Sequence, residues 1–167
     1  ALATACSRPW ITGRPRGDIT VLRRTGVVCC ALLFVQLGIA AVMRHSFAGL
    51  AIPYFPSASP EGGLLPDAWN FRVGIHFAHR VMAAILAVAL GWFAFRLWAS
   101  RAASLAMRCG ASLLVSLVGL QIALGAQIIW TSRNAAMTTG HVLVGALTLA
   151  TTFWITWLAH RDAIEGK

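Results

Sequence analysis

Charge is scarce in this sequence and acidic charge scarcest, with 11% of its 167 residues charged and five Asp or Glu set against fourteen Lys or Arg. With 58% of the residues hydrophobic, that is more apolar side chain than a soluble domain can hide, so a water-soluble globular protein is excluded and lipid is the expected solvent. No glycine-rich phosphate loop of the P-loop or dinucleotide kind occurs, which removes the common nucleotide-binding readings. The four cysteines show no metal-ligand or redox spacing: Cys6 and Cys109 stand alone, and the adjacent Cys29 and Cys30 sit inside an apolar run as packing residues. Nor is there a small-residue cleavage site of the signal-peptide kind before a soluble domain. The first residue is not Met, and the partly apolar Ala1 to Ala5 precede a polar stretch from Ser7 to Arg24. Together these suggest a piece of a longer polypeptide that begins where an earlier helix ends.

What is present is four long apolar blocks, from about Thr25 to Met43, Val73 to Phe95, Cys109 to Trp130 and His141 to Ala159. Each is roughly 19–23 residues, enough to span a bilayer as a helix. The expected organisation is a lead segment 1–24, a membrane domain 25–160 with an outer loop 44–72, and a tail 161–167. The expected fold class is all-α and integral to the membrane, a bundle of four transmembrane helices built from two similar hairpins. Short loops rich in Lys and Arg stay on the cytoplasmic side. Ten of the fourteen positive residues then lie inside, namely Arg8, Arg14, Arg16, Arg23, Arg24, Arg96, Arg101, Arg108, Arg161 and Lys167. Arg44, Arg72, Arg80 and Arg133 mark the outer end, and both termini of the segment are cytoplasmic. The net charge of +9 therefore reads as topology, and a nucleic-acid surface is not expected because these arginines gather at helix ends.

The two hairpins resemble one another. Gln36-Leu37-Gly38-Ile39-Ala40 in the first span parallels Gln121-Ile122-Ala123-Leu124-Gly125-Ala126 in the third, and the second and fourth spans carry His79 and His141 at matched places. A repeat of this kind in a membrane protein points to a site between its halves. His79 lies 17 residues before Arg96 and His141 lies 20 before Arg161, or roughly 25 and 30 Å at about 1.5 Å per residue. The two imidazoles are thus within about a turn of each other in depth, near the outer face. Such a pair suits bis-histidine ligation of a haem wedged between the hairpins. No Cys-x-x-Cys-His occurs, so the group would be held by ligation and burial alone. His76, three residues before His79 on the same helix face, is the alternative ligand or a supporting residue. Propionates would need cations, and Arg80, Arg44, Arg72 and Arg133 are at the correct end, guanidinium being matched to carboxylate. The plain alternative is that each histidine hydrogen-bonds a neighbouring helix.

The remaining polar and small residues read as framework. His45 lies at the outer end beside Arg44 and His160 at the cytoplasmic end. Gln36, Gln121 and Gln127 are expected to knit helices together, and Gly38, Gly119, Gly125 and Gly145 to permit close helix approach. Trp130, Trp154 and Trp157 read as interface anchors, while Trp69 and Phe71 would brace the outer loop. That loop carries Pro53, Pro56, Pro60 and Pro66, with Gly49, Gly62 and Gly63, and is expected to fold back over the bundle as a lid.

Met43-Arg-His-Ser-Phe-Ala-Gly-Leu-Ala-Ile-Pro-Tyr-Phe-Pro56, His76-Phe-Ala-His-Arg80, Gln121-Ile-Ala-Leu-Gly-Ala126 and Thr139-Gly-His-Val-Leu-Val-Gly-Ala146 together resemble the haem A synthase family over nearly the whole chain. The resemblance is to the second half of such a synthase, which implies half of an eight-helix fold arising from a duplicated four-helix unit. It implies an enzyme of cytochrome oxidase assembly that oxidises the C8 methyl of haem O to the formyl of haem A. It also implies a b-type haem held by His79 and His141, with substrate haem O and the catalytic glutamate in the other half. No catalytic residue is carried onto this chain. The implied partners are membrane lipid, the N-terminal half or a second copy of the chain, and haem O synthase, in a cell inner membrane. Two features depart from the family pattern: Tyr54 stands where Asp is expected, and the outer-loop cysteine pair is missing. A free-standing four-helix b-type cytochrome would use the same histidines, and a cofactor-free membrane scaffold would leave them as interhelical hydrogen bonders.

Overall fold

A computed structural model describes residues 20–160. The lead segment 1–19 and the tail 161–167, with Cys6, Arg8, Arg14, Arg16, Arg161 and Lys167, lie outside the described residues, as do the expectations attached to them. Four helices account for most of the rest: α1 (Thr20–His45), α2 (Phe71–Ala99), α3 (Leu105–Trp130) and α4 (Ala135–Ala159). Each is long and apolar enough to cross a membrane, and among the described residues there is no strand. Helices are the expected answer, because in lipid every backbone N–H and C=O has to be satisfied within its own segment. The protein is a multi-pass, four-helix membrane bundle.

All four helices begin earlier than their apolar blocks, and α1 and α2 also end later. The reason is capping. Asn70 accepts from the Val73 N–H at 3.0 Å, Ser104 from Met107 at 3.2 Å, and Asn134 from Ala136 at 2.9 Å, so each helix starts at a polar side chain that a hydropathy window passes over. The largest consequence is in α4, where Asn134 starts the helix six residues before His141 and places that histidine well inside it.

The helices pack as a ring in which α1 meets α2, α2 meets α3, α3 meets α4, and α4 returns to α1. The buried apolar core occupies the part of this ring that holds the start of α1 and the α2–α3 turn: Leu22, Cys29, Leu33, Leu90, Phe93, Leu97, Met107, Leu114 and Ile155 form one cluster. The backbones approach most closely there. A Cβ on Gly26 would collide with the Thr156 hydroxyl, and one on Gly110 would lie 2.9 Å from Ile155. The glycines expected to serve this purpose do not all do so, since Gly38 and Gly119 face open space and close approach is provided by Gly26 and Gly110. Thr148, Thr152 and Thr156 line the buried face of α4, each hydroxyl donating to the carbonyl four residues earlier, so a polar stripe is buried without orphaned donors. Cys29 and Cys30 are free thiols between helices, with the Cys29 thiol directed at the Ala89 carbonyl. Large exposed residues such as Phe34, Val88, Leu143 and Phe153 cover the outside, as a lipid-facing surface requires.

Candidate functional site in the outer half of the bundle

Above Leu33 the side chains directed at the interior change character. Gln36 on α1, His79 on α2, Gln121 on α3 and His141 on α4 share one layer. His79 lies eight residues into α2 and His141 six residues into α4, roughly 12 and 9 Å below the helix starts. Gln36 Nε2 lies 3.1 Å from His79 Nδ1, 3.4 Å from its Nε2 and 3.2 Å from its carbonyl oxygen. His79 and His141 are near enough for the charge of one to be felt at the other. The His141 ring meets the Gln121 main chain and packs against Gly125, where a Cβ would lie 3.5 Å from its Cε1. Gln121 in turn places its Nε2 against Gly145, 3.0 Å from where a Cβ would sit. Each matched histidine of the repeat therefore lies beside the matched glutamine.

This layer is incompletely satisfied. Gln36 Oε1, Gln121 Oε1 and His141 Nδ1 are buried without a hydrogen-bond partner. Buried polar atoms are nearly always paired, and an orphan costs about 1–3 kcal/mol, so three in one layer make it the candidate site.

His76 and Arg80 have a different task. His76 is 4% exposed, with the Ile52 N–H directed at its Nδ1 (3.2 Å) and the Arg80 Nε–H at its Nε2 (3.3 Å). A neutral imidazole accepts at one nitrogen at a time, and here both are faced by protein donors. Arg80 further donates to the carbonyls of Ser57 (2.9 Å), Ile52 (3.0 Å) and Tyr54 (2.7 Å), with its guanidinium over the Phe55 ring at 5.8 Å. Arg80, expected to reach a propionate, thus gathers the outer loop with most of its N–H groups. The loop, residues 46–70, is further tied down by Trp130, whose indole N–H donates to the Phe55 carbonyl at 3.4 Å. Gly62, at φ +87°, turns the chain where Ser59 caps Gly63 at 2.8 Å. Ala48, Ile52, Ala58 and Ser59 are buried residues of this strap. Trp69 packs edge-on to Phe77 of α2. Arg44, Arg72, Arg133 and His45 stand exposed at the outer end, and the His160 ring lies 2.8 Å from the Thr156 carbonyl at the other.

A match to the family of cytochrome oxidase assembly proteins covers residues 3–153, nearly the whole chain and the entire layer of His79 and His141. The chain belongs to the haem A synthase family of cytochrome oxidase assembly proteins. It is 28% identical over 122 residues to the Heme A synthase of Macrococcus caseolyticus, an alignment covering 73% of this chain and 40% of that relative. The chain thus spans well under half the length of the family member it matches. No solved structure matches it.

The donor set fits a haem better than a bare cation. Among the described residues, no group of three His, Cys, Asp or Glu converges as a metal ion held by side chains alone would require. A porphyrin brings nitrogens of its own, so two imidazoles would be enough to hold it. Sequence reasoning found both histidines through the repeat. It read Gln36 as a helix tie and missed that the tie is made to the His79 ring; the available signal was that both glutamines recur with their histidines.

Proposed function

We infer that this chain is the haem-binding C-terminal part of a haem A synthase, with a b-type haem held between His79 and His141. The carrying observation is the outer layer in which two histidines, each beside a glutamine, are accompanied by three buried polar atoms without partners. His79 is taken as the α2 ligand because it matches His141 in the repeat and lies beside Gln36, whereas His76 is bonded to the strap through Ile52 and to Arg80. A bis-histidine haem supplies one-electron transfer between its ferric and ferrous states.

The chain's own residues prepare that layer. His79 and His141 present ring nitrogens from α2 and α4, which are not neighbours in the ring of helices. The apolar floor of Leu33, Leu86 and Leu114 keeps water from reaching the layer from the cytoplasmic side. The strap from Ser46 to Asn70, held by Arg80, His76 and Trp130, shields it on the outer side. Arg44, Arg72 and Arg133 remain as exposed cations for propionates. In the whole enzyme, the part beyond this chain would carry haem O and oxidise its C8 methyl to the formyl of haem A by two hydroxylations and a dehydration, with this half supporting electron supply. The positive-inside distribution places the strap outside and the α2–α3 turn in the cytoplasm, with an inner membrane as the setting.

The test is a reduced-minus-oxidised visible spectrum of the purified chain, repeated for His79→Ala and His141→Ala. A six-coordinate b-type spectrum lost in both variants is expected. A colourless wild type, or a spectrum unchanged by either substitution, overturns the assignment. Joined to a first half, the protein should convert haem O to haem A, and the same two variants should abolish that conversion.

A further inference from the structure

Gln36 of α1 reaches the His79 ring with its amide Nε2 close to both ring nitrogens, 3.1 Å from Nδ1 and 3.4 Å from Nε2. A neutral imidazole has one N–H and one lone pair, so a group against both nitrogens selects which of them is free. When one nitrogen ligates a metal, the other carries the proton and needs an acceptor; such partners fix ring orientation and raise the basicity of the ligand. Gln36 already has that acceptor in reserve. Its Oε1 is buried without a partner, on the amide whose Nε2 touches the ring. A flip of the amide exchanges the two atoms and turns the orphaned oxygen toward the imidazole N–H. The flip gives up the 3.2 Å contact to the His79 carbonyl, and the amide must also turn away from that oxygen, which belongs to a helix and has a helical donor of its own.

The equivalent pair on the other hairpin is built differently. Gln121 has its Nε2 lodged against Gly145, while its Oε1 and His141 Nδ1 both stay unpartnered. The two histidines are therefore unequally supported, and the engaged amide belongs to His79.

We propose that Gln36 is the positioning residue of the His79 ligand: by accepting from the non-ligating nitrogen it fixes the ring and lowers the reduction potential of the bound haem. This rests on the reading of His79 and His141 as haem ligands. An acceptor on the ligand's N–H lends it imidazolate character, which favours ferric over ferrous iron.

The experiment is a redox titration with visible and electron paramagnetic resonance spectra, together with haem titration, on the purified full chain as wild type, Gln36→Leu and Gln36→Glu. In Gln36→Leu the six-coordinate spectrum is kept, the midpoint potential rises, and haem binds roughly 10–100-fold more weakly. In Gln36→Glu, a stronger acceptor, the affinity is restored and the potential falls below wild type. A tie that only joined helices would shift the potential in the same direction in both variants or in neither, and either result overturns the proposal. Should Gln36→Leu fail to fold, Gln36→Glu decides alone, since a wild-type potential there overturns it. A wild type that binds no haem defeats the ligand assignment instead, and so the two failures are distinct.

Discussion

Arg80 donates to the main-chain oxygen of Tyr54 at 2.7 Å, and the Tyr54 side chain stands exposed. The latch between α2 and the outer strap is therefore independent of which side chain occupies position 54. The phenol found where the family pattern has a carboxylate leaves the latch intact.

Substitutions on the two sides of this contact are expected to differ. Arg80→Lys replaces a planar fork that reaches three carbonyls and a histidine with a point charge, losing hydrogen bonds to a charged group worth about 1.5–3 kcal/mol each. Limited proteolysis of the strap should then run at least about tenfold faster, since ~1.4 kcal/mol corresponds to a factor of ten. Tyr54→Asp, an exposed change worth about 0.5 kcal/mol at most, should leave the rate within roughly twofold. Equal rates in Arg80→Lys and wild type would show that the strap is held by other contacts.

His76→Ala should separate the latch from the ligand. Removing a buried acceptor leaves the Ile52 N–H unpaired at a cost of about 1–3 kcal/mol. The expected outcome is a lower melting temperature in detergent with the haem-to-protein ratio retained. Loss of haem with unchanged melting would transfer the ligand role from His79 to His76.

The glycines give a contrast within one helix. Gly26→Ala puts a methyl into the Thr156 hydroxyl and beside Phe93, an overpacking expected to destabilise by about 1–3 kcal/mol. Gly38→Ala enters open space and should be neutral or mildly stabilising, helix propensity favouring Ala by up to ~1 kcal/mol. Melting of both variants in the same detergent checks the order, and the reverse order would mean that the interhelical contact at Gly26 is not the tight one.

Orientation is read by labelling single cysteines in a background with the native cysteines replaced. Glu61→Cys, on the exposed strap, should react with a membrane-impermeant maleimide in intact cells. Ala99→Cys, exposed at the end of α2, should react only after permeabilisation. Labelling in the opposite sense would invert the topology taken from the arginines.

Much of this was legible in the sequence because lipid imposes a simple rule: long apolar runs become helices, so the four spans followed from composition. The histidine pair followed from the repeat, and the prolines and glycines of residues 46–70 announced a folded strap. Other features depended on partners distant in the chain. Asn134 extends α4 by capping, an effect a hydropathy window does not see. Gly26 rather than Gly38 meets a neighbouring helix because the rotation of α1 about its own axis is set by packing. Arg80 looked like a cation for a cofactor, yet its distance to Ile52, Tyr54 and Ser57 is a property of the strap's path.

The apolar cluster that joins all four helices at the end of the bundle away from the strap, from Leu22 and Leu33 to Met107 and Ile155, contains none of the residues of the outer layer. The rods are accordingly gripped at their base like the tines of a tuning fork, by a clamp that owes nothing to the polar layer. Side chains of that layer can be exchanged without loosening the base.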